Sequence, residues 1–150
     1  MESDVEPILI EPIGIVRSPE RMLQRQDWSN VRSRIELWSE LISVAEGLGG
    51  FSHVIVVGWL DRIPEELRNR KKAHPMGDTR LPLLGALALR GGARPNPIAV
   101  TVCRLLSVED AFLEVEALDL VDGTPVLDVK PYIADYDSIP NAVLPEWARG

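Results

Sequence analysis

The chain has a single cysteine in 150 residues, Cys103, which allows neither an internal disulfide nor a thiolate metal cage. That cysteine and two histidines lack the short spacing of a ligand set, so no metal site is expected. The longest apolar run, residues 51–60, is about half of what a membrane span requires. The opening Met1-Glu2-Ser3-Asp4-Val5-Glu6 is acidic, unlike a signal or transit peptide. There is no internal repeat, no GxGxxG and no strand–helix alternation, which excludes a Rossmann domain. These absences leave a soluble, cytoplasmic protein without membrane association as the expectation.

What is present supports one folded domain over residues 1–150. Hydrophobic residues make up 45% and charged residues 26%, enough for a real core and incompatible with disorder. The net charge of −7 is unevenly spread. Residues 1–104 hold fourteen basic and thirteen acidic residues, whereas residues 105–150 hold two and ten. The basic residues cluster as Arg17, Arg21, Arg25, Arg32 and Arg34, then as Arg62, Arg68, Arg70, Lys71 and Lys72. Such clusters form either a local phosphate-binding face or solvated loops.

Patterning favours strands. Residues 8–16, 35–38, 51–60, 83–89, 98–106 and 112–120 are predicted as strands, with 51–60 buried on both faces. Ser43-Val44-Ala45-Glu46 has the form of a capping box, and residues 64–72 read as a second short helix. Asp122-Gly123 is the strongest hairpin signal, with residues 125–129 returning from it. The predicted fold is therefore mainly β, a small barrel or sandwich with one or two short helices.

Three segments carry chemistry. Arg90-Gly91-Gly92-Ala93-Arg94-Pro95-Asn96-Pro97 presents two guanidinium forks and an asparagine on a stiff loop, suited to anion recognition or to a rigid connector. The stretch from Asp119 through Asp122 and Asp128 to Lys130 and Tyr132 is dense in carboxylates. These serve a cationic ligand or proton removal, or they cap their own turn. Phe51-Ser52-His53 places Ser52 and His53 on opposite faces of a strand, so they are not expected to pair; His53 reads as a core histidine.

Taken together, these motifs carry a family resemblance. Gly14-Ile15-Val16-Arg17-Ser18-Pro19, Phe51-Ser52-His53, Leu89-Arg90 running to Arg94-Pro95-Asn96-Pro97-Ile98, and Asp122-Gly123-Thr124-Pro125-Val126-Leu127-Asp128-Val129-Lys130-Pro131-Tyr132 follow the family's order and spacing. The chain resembles the tRNA (N6-threonylcarbamoyladenosine)-N6-methyltransferase family over about residues 8–135, leaving 136–150 as a tail. The resemblance implies a TsaA-like β-barrel that binds S-adenosyl-L-methionine (SAM), forms a homodimer and methylates N6 of threonylcarbamoyladenosine beside the tRNA anticodon. By motif, it implies cofactor contacts from Gln26, Asp61, Arg62, Arg90, Val100, Glu116, Ala117, Leu118 and Asp119. Substrate contacts fall to His53, Arg94, Asn96, Lys130 and Tyr132, with the loop arginines Arg21, Arg25, Arg32 and Arg34 on the tRNA side. Trp28 or Tyr132 would stack on a base. Asp128 or Asp119 is the general base in a one-step methyl transfer.

The chain departs from the family pattern in three places. Arg90-Gly91-Gly92-Ala93 replaces Arg-Ser-Pro-Phe, and Gln26-Asp27-Trp28 stands where a Gln-Pro-Gly motif is usual. No counterpart is expected of the C-terminal extension that helps many members engage tRNA. Two other readings follow: a methyltransferase for another RNA or a small molecule, and a SAM-binding module without turnover.

Overall fold

Alternation of inward apolar and outward polar residues closes into a ring. The computed structural model describes residues 4–22 and 27–149. The strands are β1 (Gly14–Arg17), β2 (Arg32–Leu37), β3 (His53–Trp59), β4 (Lys72–Ala73), β5 (Leu84–Gly85), β6 (Ile98–Glu109), β7 (Phe112–Glu116) and β8 (Pro125–Pro131). Six of them form a closed antiparallel barrel in the order β1-β2-β7-β6-β3-β8. Closure pairs every barrel strand on both sides, so the barrel itself leaves no sheet edge open. Val16, Ile35, Val54, Val56, Leu113, Val115 and Val126 fill the interior.

Between β3 and β6 the chain makes a long excursion. It carries α1 (Glu65–Arg68) and the two-residue ladder of β4 with β5. After the barrel, α2 (Ala134–Asp137) and a single 3-10 turn at Glu146–Ala148 follow. The mainly β barrel with little helix is the architecture the patterning predicts; of the two α-helices only α1 lies within an expected helix, residues 64–72, and it is shorter.

Several elements differ from expectation. Residues 8–11 are not strand: Ile8 and Leu9 are solvent-exposed. Pro12 has no N–H to give, and the ladder begins only at Ile13, whose N–H meets the Val126 carbonyl at 2.8 Å. The capping box does not form, because Ser43 lies inside a 3-10 helix that already starts at Ser39. Residues 83–89 contain no β-branched side chain, and only Leu84–Gly85 is strand before the chain curls into a 3-10 turn. The β3 strand is buried on one face only, with Ile55 and Val57 partly exposed outside the barrel.

The predicted hairpin is also corrected. Gly123 does turn the chain, at φ +87°, but its N–H bonds the Val16 carbonyl, and the flanking strands part company. The β7 strand lies between β2 and β6, while β8 lies between β3 and β1. The true hairpin joins β6 to β7 through Asp110 at φ +51°.

Candidate functional site

Two backbone features build a cavity at one end of the barrel. Ala117, at φ +72°, ends β7 and sends residues 118–121 across the barrel mouth. Leu118, Leu120 and Val121 are buried there while Asp119 between them faces outward. Gly58 sits at a register shift in β3, where a Cβ would lie 2.8 Å from Leu120 Cδ1, so glycine lets that crossing pass close.

The cavity is about 340 Å³, at the small end of ligand sites. Leu60, Ile63, Leu120, Val121 and Trp28 give it apolar walls. Two carboxylates, Asp61 and Asp119, and two guanidinium groups, Arg62 and Arg90, also line it. The guanidinium groups are held by backbone carbonyls: Arg90 donates to Val100 at 3.0 Å, and Arg62 donates to Asp122 at 3.0 Å and Arg21 at 2.7 Å. The Thr101 hydroxyl donates to Asp119 Oδ1 at 2.5 Å. Burial and the Asp119 charge push the nearby Cys103 thiol up to about 12, which keeps it protonated and unreactive.

Four residues named from sequence thus meet in one cavity: Asp61, Arg62, Arg90 and Asp119. Val100 contributes its carbonyl, Leu118 its buried side chain and Ala117 its backbone conformation. Glu116 does not line the cavity; it pairs with Arg32 at 3.2 Å on the outer barrel surface. Gln26 and Arg25 lie outside the described residues. Asp128 is not beside Asp119. It borders a separate cavity with Leu48, Phe51 and Val129, and its carboxylate pairs with Lys130 at 3.0 Å.

The remaining substrate-side residues divide between two places. Arg94 folds back to donate to the Leu89 and Gly91 carbonyls, and Asn96 accepts from Arg68 at 3.4 Å. His53 and Tyr132 meet edge to face with ring centres 6.3 Å apart. His53 is exposed rather than a core histidine, and Ser52 Oγ lies 2.7 Å from its Nδ1. The expectation that Ser52 and His53 point apart fails because the strand begins only at His53, so alternation does not govern Ser52.

Sequence reasoning missed Thr101. Its signal is a hydroxyl on the same side of β6 as the inward Cys103, in an otherwise apolar register. Among the described residues, no group of three or more His, Cys, Asp or Glu side chains could hold a metal ion. No helix among them is long and apolar enough to cross a membrane.

Known proteins are similar to this chain in sequence and fold. Residues 18–138 match the tRNA-methyltransferase O N-terminal domain family. A probable S-adenosyl-L-methionine-binding protein of Methanothermobacter thermautotrophicus is 38% identical over 91% of this chain and 98% of that one. The tRNA (adenine(37)-N6)-methyltransferase of Mus musculus is 34% identical over 89% of this chain and 33% of its own length. A crystal structure of TrmO from Pseudomonas aeruginosa superposes with a TM-score of 0.72 at 30% identity, covering 92% of this chain and 62% of that one. The chain therefore spans less than two thirds of that solved TrmO chain. From the barrel, the cavity and these matches, the chain belongs to the tRNA-methyltransferase O N-terminal domain family.

Proposed function

We propose that this protein is a SAM-dependent methyltransferase acting on N6 of adenosine in tRNA, at threonylcarbamoyladenosine beside the anticodon. The observation that carries the reading is the barrel-end cavity, where two guanidinium groups and two carboxylates stand on apolar walls. That donor set fits SAM. Arg90 or Arg62 would take the methionine carboxylate, Asp61 or Asp119 the ammonium and sulfonium charges, and Trp28 and the aliphatic walls the adenine. The similarity to proteins described as SAM-binding and as tRNA (adenine(37)-N6)-methyltransferases supports the same assignment.

The cofactor, when bound, supplies an electrophilic methyl group. The chain's own work is to orient the target nitrogen and remove its proton. An N6 amine flanked by a purine and a carbonyl is a weak nucleophile, so a carboxylate that takes the N6 proton aids the transfer. Asp119 suits this better than Asp128, because it lines the cavity and Thr101 engages only its Oδ1. Leu60, Ile63, Leu120 and Val121 exclude water, and fixed placement of the reactants supplies most of the rate.

The active form we propose is a cytoplasmic homodimer. On the outer face of β6, Ile98, Val100 and Val102 are 36%, 47% and 48% exposed, opposite Trp59, Val57 and Ile55 of β3. A second copy on this stripe would cover it symmetrically. Sedimentation at micromolar concentration should then give twice the chain mass; a stable monomer that still methylates would refute the dimer.

The direct test is methyl transfer from labelled SAM into tRNA from a strain lacking its own enzyme. Incorporation at N6 is the expected result. Saturable SAM binding without transfer would favour a non-catalytic SAM-binding module, and no SAM binding at millimolar concentration would refute the reading.

A further inference from the structure

The negative total charge conceals two positive stretches, residues 17–34 at net +3 and the excursion that follows β3. Residues 60–97, the excursion between β3 and β6, hold eight basic and four acidic residues, net +4. The rest of the chain holds eight basic and nineteen acidic residues, net −11. Most of the excursion's guanidinium groups are engaged. Arg62, Arg68, Arg90 and Arg94 donate to backbone carbonyls. Arg80 grips Asp78 at 2.8 and 2.9 Å, which holds that carboxyl below its ordinary range. Arg70, Lys71 and Lys72 are left as three consecutive cations with no ion pair among the described residues.

The first arginine cluster differs. Arg17 pairs with Glu36 at 3.0 Å, Arg32 pairs with Glu116, and Arg34 lies over the Phe112 ring at 5.4 Å. Two of those charges are thus met by the barrel's own carboxylates, and Arg34 is held against a ring.

A cavity of about 1380 Å³ runs between the excursion and the C-terminal segment. Arg70 and Lys72 line it with Leu84, Leu89 and Trp147, so cations and an aromatic–aliphatic wall share one trough. Met76 borders it too, 90% exposed and held at φ 55°, an uncommon conformation for a side chain kept in solvent. Arg90 and Gly92 line both this trough and the barrel-end cavity, so the two are neighbours across these residues.

We propose that this trough is the docking path for single-stranded RNA flanking the nucleotide to be methylated. Arg70, Lys71 and Lys72 take phosphates, bases lie against Trp147 and the leucine wall, and the target base turns past Arg90 into the cavity. Cations beside a stacking surface are what single-stranded nucleic acid requires, and an RNA backbone matches the stretch in which three consecutive cations have no ion pair among the described residues. The inference rests on the tRNA-methylation reading above, and it moves the RNA surface from residues 17–34 to residues 70–72.

The test uses the full chain carrying Arg70→Ala, Lys71→Ala and Lys72→Ala together, with Arg32→Ala/Arg34→Ala for comparison. Affinity for unmethylated tRNA is measured at several salt concentrations, and SAM affinity by calorimetry. The triple variant should bind tRNA about tenfold more weakly or worse, with a salt slope reduced by about 2, at roughly 0.7 per phosphate contact on a single strand. Its SAM affinity should be unchanged, and the Arg32/Arg34 variant should keep nearly the full slope. Trp147→Ala should weaken tRNA binding while leaving the slope intact. If the wild type methylates tRNA and the triple variant keeps its affinity and slope, the RNA path is overturned and the strip belongs to another partner, such as an acidic protein. If the wild type binds SAM but methylates no tRNA, the underlying reading falls as well.

Discussion

The barrel and the excursion that leaves it after Trp59 are built by different forces. In the barrel, apolar side chains from facing strands fill the interior, and the ladders satisfy the backbone. In residues 60–97 only Pro75 and Pro97 are buried, and the ladder is two residues long. Carbonyls left over by irregular backbone are met there by arginines: Arg68 donates to Pro95, Arg94 to Leu89 and Gly91, and Arg90 reaches back to Val100 on β6. One region is rigid because it is dry. The other keeps its shape through charged donors, and the same donors stand at the proposed binding surfaces.

The chemistry divides the two regions first. Asp119 caps the barrel mouth, so Asp119→Asn should lower kcat by about 10²–10⁴-fold, the usual range for losing a general base. Asp128→Asn weakens a half-exposed pair with Lys130, leaves an amide oxygen that can still accept from the Val129 N–H, and should change kcat little. Single-turnover methylation of tRNA by both variants checks this. A large loss in Asp128→Asn alone would reverse the assignment.

Stability should divide them next. Leu113 is 1% exposed, and Leu113→Ala should cost about 2–5 kcal/mol and lower the midpoint of one cooperative denaturant transition. Arg90→Ala acts at the junction. Losing a charge-assisted bond of about 1.5–3 kcal/mol should raise the SAM dissociation constant roughly ten- to a hundredfold, read by calorimetry. Arg94→Ala should have a smaller, local effect. Two carbonyls lose their donor, so protease should cut more readily within residues 89–97 while the melting temperature moves by only a few degrees. Equal shifts of melting and proteolysis would show the two regions to be one cooperative unit.

The mildest test concerns the dry interior. With its thiol raised from an ordinary 9.0 to about 12, Cys103 should resist alkylation in the native state at pH 8–9 and react on unfolding. Its sign is definite. Between pH 9 and 12 the unfolded chain loses this proton first, so the contribution is full below pH 9 and falls away as pH rises towards 12.

The barrel was legible from sequence because period-2 alternation survives folding: Leu113 and Val115 face inward and Glu114 and Glu116 outward, as the pattern reads. The excursion was not. Its order depends on arginine–carbonyl bonds between residues up to sixty positions apart, and no local pattern encodes those. The site lay in between. Asp61, Arg62, Arg90 and Asp119, named by motif, line one cavity, while the separation of Asp128 from Asp119 depends on the place of β8 between β3 and β1. The Asp122-Gly123 turn misled for the same reason: turn chemistry is local, strand partnership is not.

The place of β8 also governs how such a chain can fold as it is made. Without Pro125–Pro131 the ring is an open sheet, β1-β2-β7-β6-β3, with two unpaired rims. Gly14 must wait for Val126, more than a hundred residues later, before its second neighbour exists. Closing loops of that length is slow, though each doubling of length costs only about 0.6 kcal/mol. A nascent chain therefore passes through a stage in which β1 and β3 both offer bare hydrogen-bonding edges. The last strand acts as a keystone, and the interval before its arrival is when the chain is most exposed to misassembly.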